Sequence, residues 1–125
     1  MNSKDYSLRL PPEALHVQRA SYCGLIDEYL LDGFSVRISY DHMSGPVGVG
    51  PVGPGSTQCR LPIGGREAQI TTLWEGEHII HASWGDIAPS PLGDLGLAIT
   101  IRARDARRYP DMIGILRSVR FTDAE

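Results

Sequence analysis

Lysine is almost absent from this 125-residue chain: Lys4 stands alone against eleven arginines, a bias that a GC-rich bacterial coding sequence produces. Twelve basic residues against fifteen acidic ones leave a formal charge of −3. A surface that grips a phosphate backbone needs a basic excess, so nucleic acid is set aside as a partner. Cysteine is scarce too, with only Cys23 and Cys59, too few for a disulfide framework. One bridge and two separate thiols both remain open. No run approaches the roughly 20 apolar residues that a membrane helix requires, so no membrane insertion is expected. The opening Met-Asn-Ser-Lys-Asp-Tyr has no apolar stretch of a secretory signal, which points to the cytoplasm, or to the periplasm if a leader is removed. Two catalytic signatures are also missing: no Gly-Lys-Ser/Thr follows a glycine-rich loop, and no Gly-x-Ser-x-Gly elbow occurs.

What is present is a single domain's worth of chain, residues 1–125, with 42% apolar and 22% charged residues. A domain of this size buries a core without staples. Glycine (14) and proline (9) are conspicuous, and eight of them fall between Gly45 and Gly55. Six arginines lie between Arg102 and Arg120, which makes the C-terminal fifth locally basic. The plain reading is a solvated strand face and helix end, and an acidic partner surface is the sharper alternative.

Period-two alternation, the mark of half-buried strands, dominates the pattern. Tyr6–Leu10 alternates and stops at Pro11-Pro12, whereas Leu15–Tyr22 fits helix and strand equally. Leu25–Leu31 and Phe34–Asp41 form a hairpin around Asp32-Gly33, a dipeptide suited to the positive φ of a type I′ turn. Phe34, Val36, Ile38 and Tyr40 share one face of the second strand, and Ser35, Arg37, Ser39 and Asp41 the other. Residues 42–58 read as a long loop. A second hairpin, Ala68–Trp74 with His78–Trp84, turns at Glu75-Gly76-Glu77, and a further loop is expected over Gly85–Asp94. Leu97–Arg104 is a strand, and Pro110–Val119 is a helix. Pro110 suits the first helical position, and Asp111 and Arg117 match the ends of the helix dipole. Met112, Ile113, Leu116 and Val119 form its apolar stripe, widened by Ile115, and Phe121 pins the exit. Strands without crossover helices predict an α+β domain, an antiparallel sheet with one C-terminal helix packed on a face.

The second half has a familiar shape. Ile63-Gly64-Gly65-Arg66-Glu67-Ala68 opens a strand pair, Leu97–Ala103 follows, and Ile115-Leu116-Arg117-Ser118-Val119-Arg120-Phe121 closes the chain. Over residues 60–122, together with Tyr6–Pro11, this resembles PsbP-like and DcrB-like domains. The middle helix of those domains has no counterpart here, and the Gly/Pro loop lies in its place. The resemblance implies an antiparallel sheet with packed helix and a role as a non-catalytic accessory, chaperone or binding module. It carries over no catalytic residues.

Candidate chemistry is sparse. The Gly45–Gly55 loop contains three prolines and is followed by neither lysine nor helix, so it suits a connector or a partner contact better than a phosphate cradle. His78 and His81 would share a metal on a helix, but on a strand they point to opposite faces. A zinc site from His42, Cys59 and one of these histidines would need the fold to assemble it, and no metal or cofactor is expected. Asp27 and Glu28, adjacent on a strand, also diverge and cannot share acid–base work. The most promising cluster is Tyr40-Asp41-His42-Met43, where the clearest strand enters the long loop, and Trp84 with Asp86 lies at a similar change. If both loops leave one end of the sheet, Tyr40, Asp41, His42, Met43, Trp84 and Asp86 form a single partner-binding surface. The alternative is that Tyr40 and Trp84 belong to the core. The expectation is a protein-binding module without enzymatic activity, an accessory or immunity-type protein that blocks or escorts another protein. A homodimer is an open alternative. So are a small enzyme or ligand-binding domain with a cleft around Asp41 and His42, and a structural domain of a bacterial envelope assembly.

Overall fold

The computed structural model describes residues 5–21, 24–41, 57–89, 91 and 93–122. The elements follow in the order β1 (Tyr6–Ser7), β2 (Leu15–Ser21), β3 (Gly24–Leu31), β4 (Phe34–Asp41), β5 (Thr57–Ile63), β6 (Arg66–Trp74), β7 (His78–Ala88), β8 (Leu95–Ala103), α1 (Tyr109–Arg117) and β9 (Arg120–Phe121). Among the described residues seven strands build one sheet in the order β2-β3-β4-β8-β7-β6-β5, and every neighbouring pair is antiparallel. β1 and β9 form a separate ribbon that sets Tyr6 opposite Phe121. The α+β class expected from the pattern is the one observed.

Alternation fixes which face is covered. β4 buries Phe34, Val36 and Ile38, and β8 buries Leu97, Ile99, Ile101 and Ala103 in register with them. Ile80, Ala82 and Trp84 of β7 and Ala68 and Ile70 of β6 extend this apolar face. α1 lies over it and buries Met112, Ile115 and Leu116, with Val119 just beyond its end. Ile113 departs from the expected stripe. It is 41% exposed, because on a nine-residue helix its direction points past the sheet centre toward the β5 side.

Other departures have physical causes. The ambiguous stretch from Leu15 is strand β2. At the end of the expected loop over 42–58, Thr57 and Gln58 belong to β5. That strand lies at the sheet edge and buries none of its residues, so it leaves no alternation to read. The Gly45–Gly55 stretch lies outside the described residues. β7 continues past Trp84 to Ala88 through a bulge, with Asp86 at a φ of 55°, where a loop was expected. The opening strand is shorter than Tyr6–Leu10, although Leu8 still enters the core.

Two turns separate by their glycines. At Asp32-Gly33 only Gly33 takes a positive φ (82°), so the type I′ expectation fails there: positive φ falls solely on the residue without a β-carbon. At Gly64-Gly65 both residues are positive (69° and 87°), the type I′ pattern, and the turn joins β5 to β6.

Candidate functional site

The predicted cluster is brought together only in part. Tyr40 and Trp84 both stand opposite Leu97, so the ends of β4 and β7 do meet at one end of the sheet, with β8 between them. Trp84, however, is only 1% exposed. Its indole N–H donates to the Ile63 carbonyl at 3.3 Å, and its ring meets Phe121 edge-on at 5.5 Å. It is a core residue and no surface anchor, because alternation turns it toward the covered face. Tyr40 is half-buried; its hydroxyl donates to Asp5 Oδ2 at 2.8 Å and its ring meets Tyr6 at 5.2 Å. Burial, and then the Asp5 carboxylate, push its phenol well above the ordinary range. Asp41 is buried on the other face, where it accepts from Ser39 Oγ at 3.4 Å. Asp86 alone is exposed, on the bulge. His42 and Met43 lie outside the described residues.

The histidines are engaged separately. His78 sits on the helix side, its Nδ1 3.2 Å from the Tyr109 hydroxyl, between the rings of Trp74 (4.7 Å) and Tyr109 (5.0 Å). His81 points to the opposite face, Nδ1 2.8 Å from Thr100 Oγ1, and burial lowers its pKa. His16 pairs with Asp27 at 2.8 Å and stacks on Tyr29. Glu28 turns away from Asp27, to Arg19 (2.9 Å) and Arg37 (3.6 Å). Among the described residues no group of three or more His, Cys, Asp or Glu could hold a metal ion. No helix among them is long and apolar enough to cross a membrane.

A site that the pattern did not announce lies beneath the helix. One helix is about 10 Å wide, and a seven-stranded sheet spans roughly 29 Å at the usual strand spacing, so α1 cannot cover both edges. Toward β2 the uncovered face is polar, with His16, Gln18 and Asp27 hydrogen-bonded together. Toward β5 it is apolar. There a groove of about 630 Å³ opens between Leu61 and Ile63 on one wall and Tyr109, Ile113 and Leu116 on the other. Ile70 and Ile80 lie at its floor, and Arg117 at its rim. Leu61 and Ile113 are exposed, and exposed Trp74 continues the apolar surface from Tyr109 through His78. The sequence held two signals for it: a helix with one apolar residue more than its stripe needs, and Leu61 with Ile63 in an otherwise polar strand.

A second depression, of about 420 Å³, lies among Arg60, Arg66, Glu67, Gln69 and Asp86. Its charges are mixed, and Arg66 is already occupied, donating to the Asp86 carbonyl at 3.2 Å while lying over the Phe121 ring. This depression has no field of one sign to select a ligand. No family model, curated protein or solved structure matches the chain.

Proposed function

We propose that this chain is a non-catalytic protein-binding module, and that the groove between α1 and the β5–β6 edge receives apolar side chains of its partner. The observation that carries this reading is the open apolar groove itself, bordered by Leu61 and Ile113, two large apolar side chains held in water, with exposed Trp74 continuing the apolar surface beyond Tyr109 and His78. Contiguous exposed apolar surface of this kind marks an interaction site more often than scattered apolar residues do. Seating two side chains of leucine or phenylalanine size would contribute about 3–6 kcal/mol before the cost of association. An aromatic rim suits a protein partner, since Trp and Tyr dominate interface energetics. The resemblance of residues 60–122 to PsbP-like and DcrB-like domains supports the same class, that of an accessory or immunity-type protein that blocks or escorts its target.

Selection from a random peptide library displayed on phage tests the reading. Peptides with closely spaced apolar residues are expected to emerge, to shift Trp74 emission, and to lose binding to Ile113→Glu and Leu61→Glu. Selected peptides that bind both variants as tightly as the native chain would overturn it.

A further inference from the structure

We infer that the outer edge of β5 is a self-pairing surface, where two copies of this chain join antiparallel about a two-fold axis at Cys59. Among the described residues nothing pairs with this side of β5, and Thr57 to Pro62 are all exposed. Such an edge is a template for another strand. Its hydrogen-bonding parity is fixed at the turn. The two-residue Gly64-Gly65 turn closes on a bonded pair, Ile63 with Arg66, so alternation makes Leu61, Cys59 and Thr57 the residues bonded to β6. Pro62 gives the same parity independently, since it has no N–H to offer β6 and fits only where that group would face outward. Gln58, Arg60 and Pro62 therefore turn their backbone groups away from the sheet.

These outward groups select the register. Pairing centred on Arg60 sets the two guanidinium groups directly opposite each other and matches Gln58 with Pro62, which returns no N–H. Pairing centred on Gln58 keeps only that one bonded pair within the strand, because Arg60 then falls opposite a position before Thr57. Pairing centred on Cys59 avoids both faults. Gln58 meets Arg60 of the second copy twice over, giving four N–H···O=C bonds and an amide opposite each cation. Thr57 meets Leu61 of the second copy on the helix side. The two Cys59 residues form the central non-bonded pair, whose α-carbons lie about 4.5 Å apart in such ladders, within reach of a disulfide. Cys59 carries a free, exposed thiol. The two-fold axis is perpendicular to the sheet, so both helices lie on one side and their grooves join into a shared trough. The bonding edge is backbone and the groove is lined by side chains, so dimerisation and peptide binding are read separately.

Light scattering of the reduced native chain across a concentration series is expected to show a monomer–dimer equilibrium. Arg60→Pro, with its fold checked by circular dichroism, removes two symmetry-related bonds and should weaken the dimer about thirty-fold. The register is tested by diamide, which takes up the two hydrogens of a thiol pair. In a Cys23→Ser background Cys59 should cross-link to itself. With both native cysteines replaced by serine, Gln58→Cys should cross-link to Arg60→Cys on a size-tagged second chain, and neither should cross-link to its own kind. A chain that stays monomeric at every concentration and forms no Cys59 bridge would overturn the proposal. Gln58→Cys bridging to itself as readily as to Arg60→Cys would overturn it too.

Discussion

Gly64 and Val119 meet so closely that a β-carbon on Gly64 would lie 2.7 Å from the Val119 carbonyl oxygen. The contact fastens the β5–β6 turn to the end of the helical segment and so sets one end of the groove. Gly64 also holds a φ of 69°, which costs an L-residue about 1–2 kcal/mol. Gly64→Ala adds the backbone collision to that cost and is expected to lose about 3 kcal/mol or more. Gly65 has a similar φ of 87° but nothing within 4 Å, so Gly65→Ala should lose only the conformational part. Urea unfolding of the two variants side by side checks this; equal losses would mean that the close approach carries no weight.

Ser118 joins the two ends of the chain. Its Oγ accepts from the Arg9 backbone N–H at 2.8 Å and donates to the Ile115 carbonyl at 2.6 Å, just after α1 ends. Ser118→Ala should cost about 1 kcal/mol, the usual worth of such a bond. The Arg9 amide should then exchange its hydrogen faster, while amides of β4 and β8 keep their native rates. Unchanged exchange at Arg9 would show that the bond does not hold the N-terminal segment.

Legibility followed burial. β4 and β8 could be read from the sequence because each has one face against the core, so Phe34-Val36-Ile38 and Leu97-Ile99-Ile101 stand out at period two. The same physics hides an edge. β5, with the sequence Thr-Gln-Cys-Arg-Leu-Pro-Ile, covers nothing fully and so shows no period, and its proline reads as a break. The helix was legible as an element, but which of its apolar residues lacked a partner depended on how far one helix reaches across seven strands. Ile113 therefore reads as one more stripe residue, and its apolar surplus becomes a groove only once the sheet's width is known. The predicted cluster failed at Trp84 for the opposite reason: its nearness to a loop in sequence suggested display, while alternation with Ala82 and Ile80 placed it inside.

Ser83 is buried to 1% exposure on the face away from α1, and its hydroxyl has no partner among the described residues. A buried polar group left unmatched costs about 1–3 kcal/mol against an apolar one of the same shape. Ser83→Ala is therefore expected to raise stability by about 1 kcal/mol, contrary to the usual direction of core substitutions. A higher urea midpoint with unchanged slope checks it. A loss of stability would show that the hydroxyl is bonded in solution, with an ordered water as the obvious partner.

His81 makes stability depend on pH in a predictable direction. Burial penalises its imidazolium, so the folded chain binds this proton more weakly than the unfolded chain, whose histidine titrates near its ordinary value of about 6.5. Between those two pKa values the unfolded state holds more protons, and stability rises with pH. The contribution is complete above roughly pH 6.5 and is lost as the pH falls through the lowered folded value. Thr100, 2.8 Å from Nδ1, fixes the ring without supplying a charge that could reverse the sign. Glutamine at this position can keep a bond to Thr100 yet cannot titrate. Thermal midpoints of the native chain should fall from about pH 7 to pH 5, and His81→Gln should flatten that fall. A slope that survives unchanged in His81→Gln would assign the acid sensitivity to other groups.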